Sequence, residues 1–147
     1  MKRFHFSLEK VLRLRTYREQ EAELELGRAV GALTAVENRI KEAAREKQNA
    51  AGARFLQSHG APEIINYNNY ILRLEQETGR LLEDAAKAEL VVEEKRAAYI
   101  EASRDRKVLD KLREKREREN RKDMLAEETG ILDDVSGGKG AREAVKG

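Results

Sequence analysis

The sequence predicts an all-α fold: a long antiparallel two-helix coiled-coil hairpin with a flexible C-terminal tail. Three observations carry this. Apolar or small residues recur with 4-3 spacing at Ala22, Leu26, Ala29, Leu33, Val36, Ile40, Ala43, (Lys47) and Ala50, and again at Ile64, Tyr67, Ile71, Leu74, Thr78, Leu81, Ala85, Ala88, Val92, (Lys95), Tyr99 and Ala102, with the two lysines as the polar interruptions. Between the two series stands Ser58-His59-Gly60-Ala61-Pro62, with the only proline in the chain. The series also match about one point, because seam positions whose numbers total 121 oppose one another. Ala22 then faces Tyr99, Ala29 faces Val92, Leu33 faces Ala88, Ile40 faces Leu81 and Ala50 faces Ile71. An antiparallel coiled coil needs this matching of small residues against large ones.

The elements follow in order. Residues 1–6 form an N-terminal arm. The first helix spans 7–57, with Ser7 as N-cap and Lys10 where a capping-box Glu would stand. It runs about 75 Å at 1.5 Å per residue. Residues 58–62 turn the chain, Gly60 suiting a helix C-terminus and Pro62 the first turn of the next helix. The second helix spans 63–128 and is unpaired beyond about 113, where its apolar stripe is lost. Residues 129–147, with Ser136-Gly137-Gly138-Lys139-Gly140, form the tail.

The seam weakens toward the end holding both termini. Layers there are Glu19 with Ala102, Arg15 with Arg106, and Leu12 with Leu109. Two arginines in one layer need a counter-ion or must snorkel outward, so this base is expected to be looser than the middle. Leu74 faces Lys47, so its edge is expected to stay partly uncovered beside Tyr70. Off the seam lie Phe55, Leu56, Ile65, Tyr70 and Leu72 near the turn, and Phe4, Phe6, Val11, Leu14, Val108 and Leu112 near the base. Two such clusters are either candidate docking surfaces or, for part of the one near the turn, a cap on the turn itself.

Composition agrees with a narrow core. The chain has 147 residues, 39% charged and 5% aromatic, with no Trp, and a thick globular core cannot be built from that. Helical periodicity separates it from disorder. The absence of Cys removes disulfides and thiolate sites and fits a reducing compartment. No apolar run approaches the roughly 20 residues that span a bilayer, and the N-terminus lacks an apolar signal core. The expected location is cytoplasmic, without direct membrane insertion.

Charge is segregated. Residues 1–18 carry six basic groups and one acidic, and residues 104–122 carry ten basic and five acidic, so each segment holds +5 while the whole chain holds +2. The hairpin lays these segments side by side, giving a basic base and leaving the rest near −8. Such a base suits an acidic protein surface, nucleic acid or anionic lipid.

Catalytic and metal chemistry find no footing. His5 and His59 lie at opposite ends of the first helix and cannot share a metal. Gly138-Lys139 is no phosphate loop, because Asp133 stands where its first glycine belongs and Gly140 where Ser or Thr belongs. Carboxylates such as Glu93-Glu94 lie on an exposed helix with no pocket to raise their pKa. The reading is of a non-enzyme with no cofactor. The few aromatics do not alternate with basic residues as a stacking platform would, which argues against nucleic acid.

The opening Phe4-x-Phe6-Ser7-Leu8-Glu9-Lys10-Val11-Leu12-Arg13-Leu14-Arg15, then Tyr17 and a Glu-rich heptad helix, resembles the N-terminus of FliJ-type flagellar export proteins. Ile65-Asn66-Tyr67-Asn68-Asn69-Tyr70-Ile71 with Leu74-Glu75, and the Arg/Lys-rich stretch 104–118, are similar to the corresponding family segments. The likeness covers most of residues 3–120. It implies a soluble, peripherally associated component of the flagellar type III export apparatus, folded as a two-helix stalk. Implied partners are the export ATPase hexamer, the cytoplasmic part of the export-gate membrane protein, and export chaperones that the stalk escorts. The chain is expected to be monomeric in isolation. The implied ATPase-binding residues are Leu8, Val11, Leu12, Arg13, Arg15, Val108, Leu109, Leu112, Arg113 and Arg116. Tyr70 and Leu74 match the first two gate-contacting positions, while Glu77 and Leu81 depart from the pattern. Open alternatives are a cytoskeletal or scaffold coiled coil, predicting stable oligomers; a nucleic-acid-associated helix, predicting salt-sensitive binding; and the equivalent stalk of a virulence type III secretion system.

Overall fold

The computed structural model describes residues 3–55 and 60–146, with side chains through 137. It contains two helices, α1 (Glu9–Ala53, 45 residues) and α2 (Ala61–Lys146, 86 residues), paired as a hairpin. They divide into two compact units, one of Met1–Tyr17 with Ser103–Gly147 and one of Arg18–Ala102.

In the Arg18–Ala102 unit the two 4-3 series are the core. Ala29, Ala43, Ala50, Ile71, Leu74 and Val92 are buried, and the other apolar seam residues are half-buried. Lys47 is the exposed exception. Flanking pairs fix the register: Lys47 Nζ meets Glu75 at 3.0 Å and Lys95 Nζ meets Glu25 at 3.9 Å, one residue either side of the pairing expected. Leu74 corrects the sequence reading. It is 3% exposed rather than partly uncovered, while the Lys47 ammonium is paired with Glu75, the residue after it.

The start of α2 also differs from expectation. Gly60 acts as its N-cap rather than as a terminator of α1. Its carbonyl accepts from Ile64 N at 3.2 Å, and its N–H donates to the Glu63 carboxylate, the reciprocal half of a capping box. Ala61 and Pro62 belong to the first turn of α2. Ser58 and His59 of the expected turn, and Leu56 and Gln57 before them, lie outside the described residues.

In the other unit the arm does what the heptads did not foretell. Phe6, 3% exposed, packs with Leu12 and Leu109, flanked by Phe4, Leu8 and Leu112. Glu9 N donates to Phe6 O at 3.2 Å, and Leu12 N to Leu8 O at 2.9 Å, so the arm turns into α1 with its ring tucked inward. Ser7 is not the cap expected; its hydroxyl accepts from Arg116 Nη1 at 3.1 Å. That contact, with Glu9–Arg113 at 3.5 Å, carries pairing to residue 116 rather than 113. The two-arginine layer is resolved by acceptors on α2. Arg15 Nη1 donates to Asp105 O at 2.9 Å, and Arg106 pairs with Asp110 one turn on. The base is therefore closed by an apolar cluster and two satisfied guanidinium groups.

Helix α2 runs on past 128, the end expected from sequence, to Lys146. Nothing in that stretch forbids it: there is no proline, and each glycine costs a helix only about 1 kcal/mol against alanine. Among the described residues, no helix is long and apolar enough to cross a membrane.

Candidate partner-binding surfaces

Within the Met1–Tyr17 and Ser103–Gly147 unit, the ten residues implied by resemblance separate into two groups. Leu12 and Leu109 are 6% and 5% exposed and form the core of this unit with Phe6. Leu8 and Leu112 support them, half-buried. Val11, Arg13, Val108, Arg113 and Arg116 are exposed, and Arg15 is half-buried. Arg116 also lies over the Phe6 ring at 5.8 Å from its centroid, so this cation covers the cluster as well as facing water.

A groove of about 350 Å³ opens between the arm and the helices, lined by Arg3, Phe4, His5, Phe6, Glu9, Arg13 and Arg113. Three guanidinium groups against one carboxylate make it an acceptor for acidic groups.

A second basic feature went unread in the sequence. Arg104, Val108, Lys111, Lys115, Arg118 and Lys122 follow one another at spacings of four and three, so they line one face of α2. All six are exposed, and that face is turned away from the seam. Among the described residues, none of its five cations forms an ion pair; the acidic neighbours serve other positions, Glu117 meeting Arg121 and Glu9 meeting Arg113. The signal was available as a heptad of cations. It was hidden because a linear count mixes in Glu114, Glu117 and Glu119 from other faces.

Within the Arg18–Ala102 unit, the candidate gate residues also part company. Tyr70 is 37% exposed and Leu74 lies beneath the surface. The Tyr70 hydroxyl donates to Glu46 Oε2 at 3.2 Å, while Arg73 sits 6.0 Å from its ring centroid. A shallow groove of about 450 Å³ along α2 is lined by Glu63, Asn66, Tyr67, Tyr70 and Arg73. Behind it Arg39 binds Glu77 at 2.7 Å and reaches Glu46 and Glu42 at 3.3 Å each. These carboxylates, Glu77 foremost, hold the guanidinium firmly protonated. Glu77 is thus committed to the α1–α2 pairing, and Leu81 is half-buried at the seam position opposite Ile40. Phe55, Ile65 and Leu72 remain exposed nearby, and Arg54 stacks on Phe55 at 4.5 Å while bonding Asn68 at 2.8 Å.

Among the described residues there is no group of His, Cys, Asp and Glu placed to hold a metal. What the surfaces offer is charge and apolar contact at helical spacing, which is protein-recognition chemistry. Residues 4–144 match the family model described as Flagellar FliJ protein. No curated protein and no solved structure matches the chain.

Proposed function

The chain belongs to the FliJ family and is a flagellar export-associated protein, and from that premise we propose that it works as a stalk between the export ATPase and the export gate. In this reading the basic unit docks in the centre of the ATPase hexamer and stimulates it. The observation that carries the docking end is the exposed stripe of five unpaired cations on α2, backed by the arginine-lined groove beside the arm. A partner there presents carboxylates, and charge complementarity speeds the encounter and sets the orientation. Phe6, Leu12 and Leu109 hold that surface rigid from behind. At the other unit Tyr70, stiffened by Glu46, makes the gate contact, with Leu74 packed beneath it. Export chaperones are the third class of partner, escorted by the same protein, and the chain is monomeric and peripheral to the membrane while it does so.

The test is a pull-down and ATPase assay with the host's flagellar export ATPase. Lys111→Glu with Lys115→Glu lowers the stripe from +5 to +1 without touching the core, so helicity and melting should stay as in the parent. Stimulation should fall tenfold or more and binding should weaken. Leu12→Asp is the wrong probe, since it would collapse the base. Failure of the intact chain to bind at both low and physiological salt would sink the stalk reading.

A further inference from the structure

The α2 segment 123–135 carries an amphipathic face that no described residue of the chain covers. Met124, Ile131 and Val135 continue the seam direction of α2, with Leu125 and Leu132 beside them, in an arc of about 120° at 100° per residue. The α1 side of the seam stops short of it: register places Arg3 opposite 118, and the arm's Phe6 and Ser7 meet α2 at Arg116, seven residues before the segment. Leu125, Ile131, Leu132 and Val135 are consequently 59–66% exposed.

Its charge says what fits. Residues 123–137 hold five acidic groups and no Lys or Arg. Glu128 lies inside the apolar arc, and Asp123, Glu127 and Asp134 form one border of it. Like charges therefore oppose pairing of this segment with its counterpart in a second copy. The chain's own basic stripe offers only Val108 to five apolar side chains, so it is a poor cover as well. An anionic lipid surface is repelled. Where the seam is covered at the base, the covering segment is basic, with Arg3, Lys10, Arg13 and Arg15 on it.

We propose that residues 123–135 of α2 are a docking site for a basic amphipathic helix of another protein, which takes over the seam where α1 leaves it. This goes beyond the stalk reading and does not rest on it. The partner presents Leu-type residues at heptad spacing and Lys or Arg beside them, one placed to meet Glu128.

The experiment uses the full chain and two labelled synthetic peptides of three heptads, with the same leucine face but Lys/Arg flanks in one and Glu flanks in the other. Fluorescence anisotropy at physiological salt should show the basic peptide binding at least tenfold more tightly. Leu125→Asp with Leu132→Asp should then lower that binding tenfold or more at unchanged melting temperature. This variant adds negative charge, so attraction by charge alone would strengthen binding; a retained or raised affinity overturns the proposal. So does equal binding of both peptides. Sedimentation of the intact chain, and its flotation with phosphatidylserine vesicles, complete the test. Self-association or vesicle binding that the same variant abolishes would give the face to a second copy or to lipid instead.

Discussion

Tyr70 shows how much of a candidate contact is decided by two neighbours. Its ring is pinned between Arg73 and the cross-helix carboxylate of Glu46, so its direction is fixed before any partner arrives. Partial desolvation, then the Glu46 charge, push the phenol above its ordinary value of 10.0. The sign follows. The folded chain favours the neutral phenol, so the contribution is whole below pH 10 and is lost as pH rises through the folded value. Subtracting the alkaline absorbance titration of Tyr70→Phe from that of the intact chain isolates this residue. Its midpoint should lie above 10 and should drop in Glu46→Gln, which removes the negative neighbour. A midpoint that Glu46→Gln leaves in place would mean the carboxylate does not act on the ring.

At the scale of elements the seam was legible and the ends were not. Heptad spacing reports a stripe facing another helix, and positions 22–50 and 64–102 are covered as that logic requires, with Lys47 the exception. Phe6 lies before α1 begins, where no period speaks, and only its packing on Leu12 and Leu109 reveals a core residue. Gly60 was ambiguous for a similar reason: it suits both helix ends, and the deciding partner, Glu63, lies on the side that a C-cap reading ignores. Leu12, Leu74 and Leu109 hold heptad positions and are buried within the chain, so spacing marks them as core whatever further part they take. The arm is accordingly an element of the base. Phe6→Ala should cost about 3 kcal/mol locally, the lower end for a buried aromatic because the site borders solvent. Hydrogen exchange checks this: amides at 10–16 and 104–113 should speed up, while those at 71–92 keep their protection. Uniform acceleration along both helices would show that the arm governs global unfolding instead.

For the whole molecule the question is what favours pairing of its repeating heptads within the chain. Short connection favours the hairpin, since the partner helix is always near, but an unbroken apolar seam would accept many registers and partners. Two lysines interrupt it. Lys47 faces Leu74 and Lys95 faces Leu26, and each reaches a carboxylate beside its opposite residue, Glu75 or Glu25. Both pairs are well solvated, so their stability contribution is at most about 1 kcal/mol each. Their effect is on choice: a polar group in a seam penalises every register that leaves it without its partner. Lys47→Leu with Lys95→Leu should therefore stabilise the fold while loosening its specificity. Added apolar burial should raise the melting temperature by about 3 °C or more, in line with roughly 1 kcal/mol. Sedimentation velocity over a hundredfold range of concentration should then find a larger share of oligomers than the intact chain gives under the same conditions. If the double variant stays monomeric throughout, the connection alone dictates self-pairing, and the lysines are tolerated rather than used.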